Sequence, residues 1–280
     1  MRRKPKSKGA VIAAIHPNAG VTAWYAQQLD EALRAAYTDA ALELTLAYRD
    51  RLKVGIAAQD SQLARDADYS VKYIDNVLKR WGKKWNKRFD KMADDIAKRF
   101  TSRAFRMTEV GMKAAFKQSG FTVSFKATRK SLQAYKLTVA DNVGLIKNLQ
   151  QDFYNRIQQD VWASVRAGSD MGALSNKLQK SYGITKRRAD TISVDQNAKA
   201  KAVIETTRRQ ELGIRQAIWQ HSHAGREPRP VHAAWGREGK VFDLDKGLYD
   251  PDAGEFVFPG QLINCRCTSR AVIEGFEETK

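Results

Sequence analysis

From Trp81 to Phe100 the chain repeats large apolar residues at spacings of 4, 4, 3, 4 and 4: Trp81, Trp85, Phe89, Met92, Ile96 and Phe100. That period gathers all six on one stripe of an α-helix, and so aromatic a stripe needs a large surface to bury it. A strand would send residues of alternate spacing to opposite faces. The same period runs through Tyr25, Leu29, Leu33, Ala36, Ala40 and Leu44. It returns in Val143, Leu145, Ile146, Leu149, Phe153, Ile157, Val161 and Trp162. With 6 Pro and 18 Gly in 280 residues, an all-β chain would be short of turns. The expected fold is mainly α with a small α+β C-terminal module, the long N-terminal helices forming an extended helical arm.

Local signals set the boundaries. Asn18 is placed to cap a helix reaching about Leu52, and a polar patch from Gly55 to Asp68 interrupts the pattern. A second helix is expected from about Tyr69 to Gln118, with Gly120 as its stop. Phe121–Phe125 (FTVSF) alternates as a short strand would. Helix resumes over 127–166, and Gly168–Gly172 reads as a turn. Ala173–Ser181 reads as a short helix punctuated by Gly183, with Thr185 capping another that ends at Gly213. Ile214–Trp219 then reads as a strand, and 222–262 is rich in Gly, Pro and turn residues. The resulting division is a basic flexible leader (1–17), a helical arm (18–126) and a C-terminal domain (127–280) whose compact α+β part spans about 205–275.

Charge narrows the function. Lys and Arg number 49 against 31 acidic residues, a net charge of +18, which calls for a polyanionic partner. Lys79, Lys83, Lys87 and Lys91 recur every fourth residue, as do Arg80, Lys84 and Arg88. These rows form adjacent strips of one helix, suited to double-stranded DNA or to an acidic protein surface, although such runs usually form a solvated face. No apolar run approaches the roughly 20 residues of a membrane span, and no basic helix carries a dense apolar face for a membrane surface. The run Gly9–Ile15 is too short for a signal peptide and reads as part of a basic tail.

Three of the four histidines and both cysteines lie between His221 and Cys267. A disulfide across the single residue of Cys265-Arg266-Cys267 would be strained, so a reducing cytosol is the expected compartment. Zinc accepts thiolate and imidazole, and His223, His232, Cys265 and Cys267 are the candidates for it. Cys-x-Cys is a poorer chelate than Cys-x2-Cys, so the favoured reading is structural: no metal, one cysteine buried as a small hydrophobe, and His232 as a core hydrogen-bonding residue. A thiol hydrolase drawing on His232 with Asp243 or Asp245 lacks the local signatures of that chemistry. There is no P-loop, no dinucleotide fingerprint and no H-E-x-x-H, so no catalytic residue is assigned.

The order of residues in the C-terminal half carries a resemblance. Gly183-Ile184 and Arg188-Ala189 precede a helix leading to Leu212-Gly213-Ile214 and Trp219. His232, Gly236, Val241-Phe242 and finally PGQLINCRC, Pro259 to Cys267, follow. This resembles the phage Mu F-like head morphogenesis family over roughly 145–272. Ser193-Val194-Asp195-Gln196 keeps that family's Asp-Gln and lacks its Arg. Gly225–Pro230 replaces the usual short acidic turn before the histidine.

The resemblance implies a minor head protein of a tailed bacteriophage, not an enzyme, acting in procapsid assembly at or near the portal vertex. The implied partners are the portal protein and the major capsid or scaffolding protein, with packaged DNA as a further contact. The implied location is the virion, in the capsid interior or at the portal vertex, after assembly in host cytoplasm. No C-terminal toxin is expected beyond the motif. The alternatives are a zinc-dependent enzyme acting on DNA or cell wall, and a generic DNA-binding protein. His232, Gly236, Pro259, Gly260, Asn264, Cys265, Arg266 and Cys267 are carried over as the family signature, with structural roles. Asn264 and Arg266 are expected to bond backbone carbonyls and hold their loop against the His232 segment.

Overall fold

In a computed structural model, residues 10–57, 63–167, 171–223 and 228–273 are described, with side chains outside 50–70. The elements run β1 (Ala10–Ile12), α1 (Ala19–Ala57), α2 (Leu63–Gln118), α3 (Arg129–Arg166), α4 (Met171–Glu211), β2 (Gln216–Gln220), α5 (Pro230–Glu238), β3 (Val241–Asp243), β4 (Leu248–Asp250), β5 (Glu255–Val257) and β6 (Thr268–Ile273). The protein is mainly α, with a small β-containing module toward the C-terminus. Among the described residues no helix is long and apolar enough to cross a membrane.

Two compact units are present. The first falls within Tyr25–Ala97 and Asp141–Ile192 and is wholly helical. All six residues of the α1 stripe are buried, as are Trp81, Trp85, Phe89 and Ile96 of α2; Phe100, also buried, falls in the other unit. Met92 is only half-buried, and Ala93 takes the inward position beside it. Trp81 stacks on Tyr154 of α3 at 5.8 Å between ring centroids and meets Phe153 edge-on. Both indole N–H groups in this core find acceptors, Trp81 the Ala36 carbonyl (3.3 Å) and Trp85 the Asp39 carboxylate (2.7 Å). The Tyr25 hydroxyl donates to Asn142 Oδ1 at 2.9 Å, so these three buried polar groups are paired as the low dielectric requires. The aromatic stripe therefore fills an internal core.

The second unit falls within Met1–Trp24, Lys98–Ala140 and Ser193–Lys280. Its four-stranded antiparallel sheet has the order β1-β6-β2-β3, and β4 and β5 form a separate hairpin. Strand β2 pairs along its whole length with β6, Ala217 opposite Ala271 and Trp219 opposite Ser269. Ile12, Ala217, Trp219, Phe242 and Ala271 share one core with Met112 and Phe116 at the end of α2.

Several local expectations change. Ala10-Val11-Ile12, read as part of the N-terminal tail, forms an edge strand on β6 with Ile12 1% exposed; residues 1–9 of that tail lie outside the described residues. FTVSF is no strand: Phe121, Val123 and Phe125 alternate toward the core from a segment outside the named strands, the Phe121 N–H returns to the Phe116 carbonyl, and Arg208 donates to the Lys126 carbonyl at 2.8 Å beside them. The short helix, the break at Gly183 and the cap at Thr185 are replaced by one continuous α4. There the Thr185 hydroxyl donates to the Ser181 carbonyl one turn back, the mid-helix bond a threonine makes in place of capping. Much of the Gly168–Gly172 turn lies outside the described residues. Two signals hold as read. Asn18 Oδ1 accepts the Val21 N–H at 3.1 Å as an N-cap. Gly213 adopts φ +78°, and the Ile214 N–H returns to the Arg209 carbonyl, closing α4.

Candidate functional site

Helix α5 begins at Pro230, whose fixed φ and missing N–H suit the first helical turn. Two residues on, His232 points inward, 2% exposed, and lies between Trp219 of β2 (4.9 Å, edge-on) and Trp235 of its own helix (5.2 Å, stacked). Gly236, one turn later, lies against His221 at the end of β2.

The loop before β6 brings up the cysteines. Phe258–Gln261 is a tight turn: the Gln261 N–H reaches the Phe258 carbonyl at 3.1 Å, Pro259 supplies its fixed φ, and Gly260 takes φ +87°. Asn264 follows at φ +60°, a left-handed conformation that asparagine tolerates better than most residues. From Cys265 the chain runs unpaired into β6, and burial alternates: Cys265 and Cys267 are buried while Arg266 is exposed. Side chains two apart on such a segment share a face, which aims both sulfurs inward from a one-residue spacer.

The three inward groups meet. Cys265 Sγ lies 3.6 Å and Cys267 Sγ 3.9 Å from His232 Nδ1. One ligand atom from each residue falls within 4.8 Å of the others, a set able to hold a metal ion. On the far side of the ring, His232 Nε2 lies 3.0 Å from Asp250 Oδ2. Burial pushes the Asp250 carboxyl up, but N–H bonds from Asp252 and Ala253 and the His232 contact outweigh it, leaving it below the usual carboxylate range. An ionised carboxylate only accepts, so Nε2 donates to Asp250 and Nδ1 faces the sulfurs.

The two thiols act as a pair. The bond from Cys267 draws the Cys265 thiol down to about 4 against the resistance of burial, with His232 and the backbone N–H groups of Cys267 and Gly260 adding to it. Cys267, the partner that keeps the proton, is pushed up by that bond and by burial.

The signature residues His232, Pro259, Gly260, Cys265 and Cys267 therefore assemble in one place. His223 does not join them: it is exposed, with Nδ1 3.4 Å from that of His221. Asp243 and Asp245 are not the carboxylates beside His232 either. Asp243 accepts the Asp245 N–H, and Asp245 pairs with Arg215 and Gln210. Asn264 and Arg266 differ from expectation, for among the described residues neither side chain is seen to bond a carbonyl. Asn264 instead donates its backbone N–H to Asp195 Oδ1 at 2.9 Å, tying the loop to α4.

Sequence reasoning did not single out Asp250, since nothing in its spacing separates it from the other loop aspartates. It also missed a buried charge row on α4, Lys201, Glu205 and Arg209, at helical i, i+4 spacing. Lys201 Nζ lies 2.7 Å from Glu205, Arg209 pairs with the same carboxylate, and Arg209 also donates to Ser269 Oγ (2.7 Å) and to its carbonyl (3.0 Å). The i, i+4 period was the available signal, but charged residues at that spacing ordinarily read as a solvated face.

On the helical unit the basic strip is partly neutralised. Lys79 pairs with Asp75, Arg80 with Glu43, and Lys84 with Asp39 and Glu43. Arg88 lies over the Trp85 ring at 4.8 Å. Lys83, Lys87 and Lys91 are exposed and show no ion pair among the described residues.

Residues 155–270 match a family model described as phage Mu protein F like protein. A Haemophilus influenzae protein, described as uncharacterized, is 25% identical over 258 residues, covering 91% of this chain and 54% of that one. The chain thus spans about half the length of the curated relative it matches. No solved structure matches significantly.

Proposed function

From the match of residues 155–270 to the phage Mu protein F like family model, we propose that this chain is a minor head protein that docks on the portal protein, or on capsid or scaffolding protein beside it, during procapsid assembly. The family is one of phage head morphogenesis proteins. The observation that carries the reading is the convergence of His232, Cys265 and Cys267, far apart in the sequence, into one buried clasp. The clasp fixes a loop whose outer side is exposed: Ile263 is 61% accessible, and Asn264 and Arg266 face solvent beside it. A rigid interior beneath an exposed loop suits a docking surface.

Contact with packaged DNA is the second part of the proposal. It rests on the net charge of +18 and on Lys83, Lys87 and Lys91, which the fold leaves unneutralised among the described residues.

The test is an affinity pull-down of the tagged chain from cells assembling the particle. Recovery of portal, capsid or scaffolding protein, lost when Ile263 and Arg266 are replaced by Asp, is the expected result. Recovery of none of these from assembling cells would overturn the reading.

A further inference from the structure

We propose that His232, Cys265 and Cys267 bind a zinc ion, with Asp250 as the carboxylate that orients the histidine. The spacing of the donors is the first argument. A tetrahedral zinc with Zn–S of about 2.3 Å and Zn–N of about 2.0–2.1 Å holds its sulfur and nitrogen ligands roughly 3.5–3.6 Å apart. The two Sγ···Nδ1 distances are 3.6 and 3.9 Å, so both sulfur–nitrogen edges lie within a few tenths of an ångström of that separation.

The second argument is the far side of the ring. Zinc-ligating imidazoles commonly donate their other N–H to a carboxylate, which fixes the tautomer and raises ligand basicity. Asp250, fully buried, stands 3.0 Å from Nε2 in that position, and its other oxygen is locked by the Asp252 and Ala253 N–H groups.

The third argument is the treatment of the sulfurs. Trp219 Nε1 is buried with no hydrogen-bond partner among the described residues, an orphan donor that a metal-bound thiolate beside it would satisfy. Two thiolates and one imidazole suit a borderline-soft ion better than magnesium or calcium, which take oxygen donors. Three protein ligands leave one position of a tetrahedral zinc open.

The inference does not depend on a role in head assembly, and its test reads metal directly. The full chain is purified under reducing conditions without added chelator, and its metal is measured. About one zinc per chain is expected. Cobalt substituted for zinc should give thiolate-to-metal charge-transfer absorption, and Cys265→Ser/Cys267→Ser should abolish both signals. Asp250→Asn, which keeps all three ligands, should remain folded by circular dichroism and bind zinc roughly 10–100-fold more weakly in chelator competition. A folded, reduced wild-type chain that takes up neither zinc nor cobalt would overturn the proposal. So would zinc binding that is unchanged in the double serine variant.

Discussion

Gly236 packs so closely on His221 that a Cβ added at 236 would lie 2.5 Å from the His221 Cβ and 2.9 Å from its backbone nitrogen. The obstruction is near-rigid backbone and Cβ, so α5 or β2 would have to move. That contact fixes how the helix bearing His232 approaches the strand bearing Trp219, and the site depends on it.

Gly236→Ala is accordingly expected to destabilise. An alanine inside a helix ordinarily gains up to about 1 kcal/mol over glycine, but overpacking of this severity costs about 1–3 kcal/mol or more. Gly183→Ala in α4 is the control, because nothing lies within 4 Å of its added Cβ, and there the helix gain should survive. Urea unfolding of both variants checks the opposite signs.

The row Lys201–Glu205–Arg209 predicts an asymmetry between partners. Glu205→Gln leaves two buried cations without their counter-charge and is expected to cost on the order of 3–5 kcal/mol. Lys201→Met leaves Glu205 still paired with Arg209 and removes a cation that burial already disfavours, its pKa lying below the usual lysine value. Its cost should be clearly smaller, as measured by thermal unfolding of the two variants side by side.

Asp195 links α4 to the Asn264 loop at a cost. Burial pushes its pKa above the ordinary carboxylate value, against the bond from the Asn264 N–H and the nearby positive charges. The protonated form is therefore relatively favoured by folding. That contribution is full below the unfolded pKa and is lost as pH rises through the folded one. Asp195→Asn keeps an acceptor without the charge, so near pH 7 it should match or exceed wild type, and its advantage should fade as pH falls into the carboxylate range. Asp195→Ala loses the acceptor and should cost about 1–3 kcal/mol. Unfolding measured across acid to neutral pH separates the two.

The basic strip divides into two sets. Charge reversal at Lys83, Lys87 and Lys91 should leave stability nearly unchanged while lowering retention on double-stranded DNA and flattening its salt dependence. Lys84→Glu should instead destabilise the helical unit by up to about 1 kcal/mol, because it opposes Asp39 and Glu43. Filter binding over a salt series and thermal unfolding of each variant check this.

Legibility in the sequence followed the range of the interactions. The α1 and α2 stripes, the Asn18 cap and the Gly213 stop were readable because each is decided within a turn or two of helix. The continuity of α4 through Gly183 was not, since tertiary burial of Leu174, Leu178 and Ala189 overrides a glycine that costs about 1 kcal/mol. The site was half legible. His232 and the Cys-x-Cys stand out in the sequence, but the spacer length alone does not reveal that an extended backbone faces both sulfurs the same way. Asp250 and Asp195 meet their partners across 18 and 69 residues, and no local pattern carries that information.

The central claim is that the clasp shapes a docking surface for head assembly, and density-gradient sedimentation of particles tests it most directly. Cells assembling heads with the chain replaced by Gly236→Ala or by Cys265→Ser/Cys267→Ser should lose the chain from the procapsid fraction and accumulate aberrant heads, while the wild-type chain co-sediments with procapsids. Normal heads in normal yield, formed without the polypeptide at any stage, would contradict the account.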